Sequence, residues 1–224
     1  MKKNVYILLV FCLMLSGCRS SQGSETSTAD AGSGYKDEST SEAAVIVYPL
    51  PDSTMDTLDN ATIAISLEEG DAYVDDTGVM QMDVKIYTYD LYDMVDIAGL
   101  KIGDSIVTHS GEVKISSVER NTFGTVLING GLENDGIDLF GEGGVYYEAG
   151  FNDVKNWYEV GEATLRVSTD LEFRDKADLD KGEQIYYAGS FLIGEVTDYH
   201  FTPHNTTIRT ENGQIVSMER IYTP

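Results

Sequence analysis

From residue 62 onward, apolar and polar side chains alternate with a period of two. Ile63, Ile65 and Leu67 are separated by Ala64 and Ser66, and Met80, Met82, Val84 and Ile86 by Gln81, Asp83 and Lys85. The run is read as continuing through Tyr87, Tyr89 and Leu91. Successive side chains of a strand point to opposite faces, so this pattern predicts strands with one buried and one solvated face. Residues 68–71 and 75–78 read as turns flanking a short strand at 72–74, the second with Gly78 for the positive φ of a tight hairpin. Further strands are expected at 100–107, 113–117, 124–129, 137–140, 145–147, 163–167, 171–173 and 184–187. Segments 206–211 and 214–222 flank Asn212-Gly213, a pair that tolerates the positive φ of a type I′ turn, so a hairpin is expected to close the domain.

Helical spacing is confined to short connectors. Asp93 is positioned to cap a helix that gathers Met94, Ile97 and Ala98 on one face, with Gly99 as a left-handed C-terminal cap. Asn152 or Asp153 is read as the cap of a second helix, with Val154, Trp157 and Tyr158 on one face and Gly161 beyond its end. A third short helix is read across Phe191, Leu192 and Val196. The expected fold class is mainly β: a single all-β barrel-like or sandwich domain with short helical connectors and a C-terminal β-hairpin.

Upstream the pattern changes. Met1-Lys2-Lys3-Asn4 is cationic, and residues 5–15 form an apolar run with the length of a signal-peptide core, too short for a membrane span. Leu15-Ser16-Gly17-Cys18 follows, and all four positions resemble a bacterial lipobox. The resemblance implies cleavage before Cys18, lipidation of its sulfur and retention on the outer face of a membrane, because two acyl chains suffice for stable anchoring. Residues 19–42 are rich in Ser, Thr, Gly, Asp and Glu, with too little apolar surface to order themselves. As a flexible coil this linker has an end-to-end distance of roughly 25–30 Å. The expected organisation is a signal peptide at 1–17, the lipidated cysteine and linker at 18–42, and a β-rich globular domain at 43–224. The C-terminal hairpin and its ending, Tyr222-Thr223-Pro224, are similar to those of uncharacterised cell-surface lipoproteins of Gram-positive-type bacteria, a resemblance that implies a location and no activity.

Processing sets the charge and thiol inventory. Loss of Lys2 and Lys3 leaves 13 of 15 basic residues against 38 acidic ones, a net charge near −25. Nucleic-acid backbones and anionic head groups need clustered Lys and Arg, so neither is an expected partner of the domain surface. With Cys12 in the signal peptide and Cys18 lipidated, no thiol remains for a nucleophile, a disulfide or a thiolate metal site.

Residues 100–106, Leu-Lys-Ile-Gly-Asp-Ser-Ile, resemble the turn into a strand of small β-barrels. Within them, Gly103-Asp104-Ser105-Ile106 also spells the opening of the GDSL-type esterase signature. A serine nucleophile needs a strand-to-helix elbow and a histidine base, whereas Ser105 is expected inside a strand. His200 and His204 have helical metal-site spacing, but Pro203 between them breaks a helix. His109 falls in a turn with no partner visible in the sequence. Three acidic groups offer oxygen ligands to calcium without EF-hand spacing: Glu68, Glu69, Asp71, Asp75 and Asp76; Glu133, Asn134, Asp135 and Asp138; and Asp170, Asp175, Asp178, Asp180 and Glu183. Tyr87, Tyr89 and Tyr92, Tyr146 and Tyr147, Trp157 and Tyr158, and Tyr186 and Tyr187 suit either cross-strand packing or a sugar-binding face.

The resulting expectation is a membrane-anchored, extracytoplasmic lipoprotein with a non-catalytic binding or structural role. The alternatives are a carboxylate-based glycan hydrolase and a calcium-stabilised spacer. Cys18 is the lipidation site, no catalytic residue and no cofactor is named, and metal ligands stay unassigned. The expected partners are the membrane, through the lipid, and a glycan or protein ligand.

Overall fold

Inward apolar and outward polar positions build a closed ring of strands. The computed structural model of the chain describes residues 43–151 and 154–223. The expected signal segment, the expected lipidation site Cys18 and the expected linker lie outside the described residues, as do Asn152 and Asp153. The described residues fall within one compact unit, Glu42–Pro224. In it, β1 (Ile46–Val47), β2 (Thr62–Ser66), β3 (Ala72–Val74) and β4 (Met80–Thr88) come first in chain order. On β4, Met82, Val84 and Ile86 are buried while Asp83 and Lys85 are exposed, the alternation the sequence predicts.

The first half of β12 (Tyr158–Lys176) pairs with β4, which also pairs with β2. The second half of β12 pairs with β15 (Gln214–Ile221), which pairs with β14 (Thr206–Glu211), which returns to β2. These five strands close a barrel in which every pairing is antiparallel except β12 with β15. Strand count and Greek-key closure are those of OB-type barrels, a likeness of architecture that carries no activity. Sequence reading divides β12 at the polar residues 168–170. The structure instead runs one 19-residue strand through the break, with register shifts between Glu159 and Gly161 and between Val167 and Glu172. Such bulges bend a strand, which lets β12 serve two neighbours around the ring.

Ile65, Met82, Ile86, Leu171, Phe173 and Ile215 fill the barrel, each essentially inaccessible to water. Full burial of a side chain of this size contributes about 1.5–3 kcal/mol. β13 (Gln184–Tyr187) extends the sheet beside β12, and α2 (Ala188–Leu192) places Phe191 against Phe173, with ring centroids 5.5 Å apart. The expected third helix stops at Leu192; Val196 is buried beyond it in non-helical chain, past Gly194 at φ +73°. The terminal hairpin is as expected, with Asn212 and Gly213 both at positive φ.

Between β4 and β12 the chain builds a second core. β5 (Leu91–Asp93), β11 (Val145–Ala149), β10 (Ile137–Glu142), β9 (Thr125–Ile128) and β8 (Val118–Arg120) form an antiparallel sheet in that spatial order. A hairpin of β6 (Ser105–Thr108) and β7 (Gly111–Lys114) takes β1 as a parallel third strand. Tyr92, Ile97, Ile106, Ile128 and Leu139 are buried among them. Asp93 caps α1 (Met94–Gly99) through a hydrogen bond from the Val95 N–H. Gly99, however, is not a left-handed cap: it remains in the helix and Leu100 leaves at φ −60°. The Arg120 guanidinium donates instead to the carbonyls of Ile97, Ala98 and Leu100, satisfying acceptors that a helix end leaves open.

The helix expected around residues 154–158 is absent. Gly150 N–H donates to the Val154 carbonyl, Asn156 N–H to the Glu148 carbonyl, and Lys155 bridges Ala149, so the chain doubles back antiparallel. Tyr158 already belongs to β12. The three-and-four spacing of Val154, Trp157 and Tyr158 therefore reflects a turn entering a strand. Among the described residues, no helix is long and apolar enough to cross a membrane.

Candidate functional site

The chain leaves the barrel after Thr88 and re-enters it at Tyr158, so residues 89–90 and 155–157 lie side by side at the junction of the two cores. Side-chain alternation sends Tyr89 and Tyr147 one way and Asp90 and Glu148 the other. An aromatic face and a buried acidic cluster result.

Asp90 is only 3% exposed. Its Oδ2 accepts the His109 backbone N–H at 2.7 Å and its Oδ1 accepts the Tyr158 hydroxyl at 2.8 Å. The Tyr92 hydroxyl donates to the Val107 carbonyl at 3.0 Å and stands 3.5 Å from Asp90 Oδ2. Burial and the neighbouring Asp90 raise the pKa of both phenols well above the usual range, so both remain hydrogen-bond donors.

Glu148 is 7% exposed. Its Oε1 accepts from Asn156 Nδ2 at 2.8 Å, while its Oε2 is buried without a hydrogen-bond partner. Burial pushes its pKa up, against the Asn156 bond and the nearby His109, and the charge of Asp90 adds to the rise. His109 occupies the turn between β6 and β7, where its ring stacks on Tyr158 with centroids 4.4 Å apart and planes 13° off parallel. Its Nδ1 lies 3.8 Å from Asp90 Oδ2 and its Nε2 lies 3.0 Å from Ser110 Oγ. One ligand atom from each of Asp90, His109 and Glu148 falls within 4.8 Å of the others, the one such grouping among the described residues.

On the aromatic face, Trp157 meets Tyr89 edge to face at 4.6 Å, and Phe140 stacks near Tyr147 at 6.0 Å. Lys155 Nζ sits 4.6 Å above the Tyr89 ring and 3.3 Å from Glu142 Oε2. Burial opposes its charge, but the contacts with Tyr89 and Glu142 outweigh burial and keep its pKa high. Together Tyr147, Trp157, Lys155, Glu142, Val154 and His204 line an open hollow of about 290 Å³.

The other candidates lie elsewhere. Asp104 accepts the Val45 and Lys101 backbone N–H groups, and Ser105 is buried in β6, so the Gly-Asp-Ser phrase locks a turn to a strand as its strand context predicts. His200 is exposed in a loop, and His204 lies beside the Trp157 hollow. Asp75 accepts from Thr77, Val79 and Gln81, Asp71 from Glu68 and Asp138 from Leu132, as turn carboxylates do. Asp175 pairs with Arg220 and Asp178 with Lys181. Tyr186 packs on Phe173.

Sequence reading singled out neither Asp90 nor Glu148, and left His109 without a partner. The available signal was parity. The inward positions of β4 are even-numbered, and they stay even through Thr88, Asp90 and Tyr92, all buried; Tyr87, Tyr89 and Leu91 are partly exposed and do not continue the inward series. A carboxylate on the inward parity marks the site.

No protein-family model, no curated protein and no solved structure matches this chain.

Proposed function

We propose that the chain is a membrane-anchored extracytoplasmic lipoprotein with a non-catalytic binding role, and that its ligand is a carbohydrate seated in the hollow beside Trp157. The observation that carries this reading is the convergence there of an indole, a tyrosine ring, an ammonium and a carboxylate at one open surface. Aromatic rings offer apolar faces to the C–H surface of a sugar, and the charged groups suit its hydroxyls. Anchoring follows from the lipobox resemblance at residues 15–18 and places such a hollow within a linker's reach of the envelope. The acidic surface disfavours nucleic acid as the alternative ligand.

One observation favours a second reading, a carboxylate-based glycan hydrolase: Asp90 and Glu148 are neighbours, and burial favours the protonated form of Glu148. Both are more than nine-tenths buried, however, and a glycosidic bond must enter between the two carboxyl groups. Binding is therefore the preferred reading. The test uses the full chain expressed in its membrane, with calorimetric titration of envelope oligosaccharides and analysis of products. Saturable binding without turnover, weakened about tenfold or more by Trp157→Ala, is expected. Release of shortened glycan would establish the hydrolase instead, and unchanged binding in Trp157→Ala would remove the hollow from the reading. Cys18→Ser is expected to shift the chain from the membrane fraction to the soluble one.

A further inference from the structure

We propose that Asp90, His109 and Glu148 bind one divalent transition-metal ion, of the Zn²⁺ or Mn²⁺ type, at the junction of the two cores. The inference is independent of the carbohydrate reading, because none of these side chains lines the Trp157 hollow.

Two buried carboxylates lie side by side in the interior of a strongly acidic chain, and one of their oxygens, Glu148 Oε2, has no hydrogen-bond partner. An unpartnered buried carboxylate oxygen is costly, and like charges at this separation repel, so the arrangement favours a cation between them. His109 completes the donor set. In the tautomer whose Nε2–H donates to Ser110 Oγ, Nδ1 is left as an unprotonated ligand atom 3.8 Å from Asp90 Oδ2. Each ligand is thus oriented by another group: Asp90 by Tyr158, Glu148 by Asn156 and His109 by Ser110 and by stacking on Tyr158. Metal-ligating side chains are held in this way.

The donor chemistry selects the ion. One imidazole and two carboxylates suit Zn²⁺ or Mn²⁺, whereas Ca²⁺ and Mg²⁺ take oxygen alone. Tetrahedral ligands about 2.0–2.2 Å from zinc stand roughly 3.3–3.6 Å apart. Donor atoms within 4.8 Å of one another therefore close on an ion with small side-chain rotations. His109 is the way in, since its side chain is 26% exposed while both acids are covered. The ion ties the β6–β7 turn to β11 and, through Tyr158 on Asp90, to barrel strand β12.

The test is calorimetric titration of the full chain, stripped with chelator, using ZnSO4, MnCl2 and CaCl2 in turn. One equivalent of Zn²⁺ or Mn²⁺ is expected to bind. Glu148→Gln and His109→Ala are each expected to weaken it at least tenfold, while His200→Ala, at an exposed loop histidine, binds like the wild type. Glu148→Gln is isosteric and keeps an acceptor for Asn156, and an unchanged near-UV circular dichroism spectrum verifies its fold. The proposal is overturned by the absence of saturable Zn²⁺ or Mn²⁺ binding, by unchanged affinity in folded Glu148→Gln, by binding of Ca²⁺ alone, or by loss of binding in His200→Ala.

Discussion

Replacing Arg220 with leucine removes the cation that fastens the parallel seam of the barrel. Arg220, on β15, is 3% exposed. Its Nε and Nη2 donate to the two Asp175 oxygens of β12 at 2.9 and 2.5 Å, its Nη1 donates to the Asp198 carbonyl at 2.8 Å, and its guanidinium lies 4.6 Å from the Phe201 ring. Leucine matches part of the volume but leaves Asp175 nearly buried, with only the Ala177 N–H still donating to it. Removing one partner of a buried pair typically costs about 3–5 kcal/mol, a large share of the 5–15 kcal/mol of a whole domain. The pH dependence identifies the cause. Burial alone would raise the Asp175 pKa, but the bonds and charge of Arg220, with the Ala177 N–H, hold it below the usual carboxylate range. A depressed folded-state pKa contributes stability that is fully present above the unfolded value, about 3.9, and is lost as pH falls through the folded one. Urea unfolding followed by Trp157 emission is therefore expected to show the full penalty at pH 7 and a smaller one near pH 3. A penalty below about 1 kcal/mol at pH 7, or one that does not change with pH, would refute the reasoning.

Two other substitutions probe the second core and the acidic cluster. A Cβ at Gly136 would stand 2.1 Å from the Ile128 carbonyl oxygen, so Gly136→Ala forces backbone movement and is expected to destabilise by about 2 kcal/mol or more in urea titration. In chelator, Glu148→Gln is expected to stabilise by about 1–2 kcal/mol at pH 7, because a neutral amide beside Asp90 removes a buried charge and supplies a donor. The sign follows from a raised folded-state pKa, whose stability contribution is present below the unfolded value and lost as pH rises through the folded one. The gain should vanish near pH 3.5, and a gain of equal size there would contradict it.

The strands were legible in the sequence, though not the choice of barrel over sandwich, because burial of one face writes a period of two into Met80–Ile86 and, less strictly, into Ile63–Leu67, where Ala64 is buried as well. Asn212-Gly213 fixed the closing hairpin for a similarly local reason, since both residues must reach positive φ. What failed was non-local. β12 reads as two strands because its polar middle lies at a bend between two neighbours, and bulges do not announce themselves in periodicity. Gly99 reads as a helix cap because the actual cap, Arg120, arrives from 20 residues downstream. Asp90, His109 and Glu148 are separated by 19 and 39 residues, and only the packing of the β6–β7 hairpin beside the five-stranded sheet, both inserted between two barrel strands, brings them together. Asp90 alone left a trace, as a charge on inward parity.

The chain contains one tryptophan, and in the folded protein its emission reports directly on the proposed ligand hollow. Titrating the full chain with envelope oligosaccharides while recording that emission is the most direct test of the binding reading. A saturable change in intensity or wavelength, at the concentrations where calorimetry registers binding, is the predicted result. Calorimetric binding with Trp157 emission unchanged, or no binding of any oligosaccharide, would contradict it.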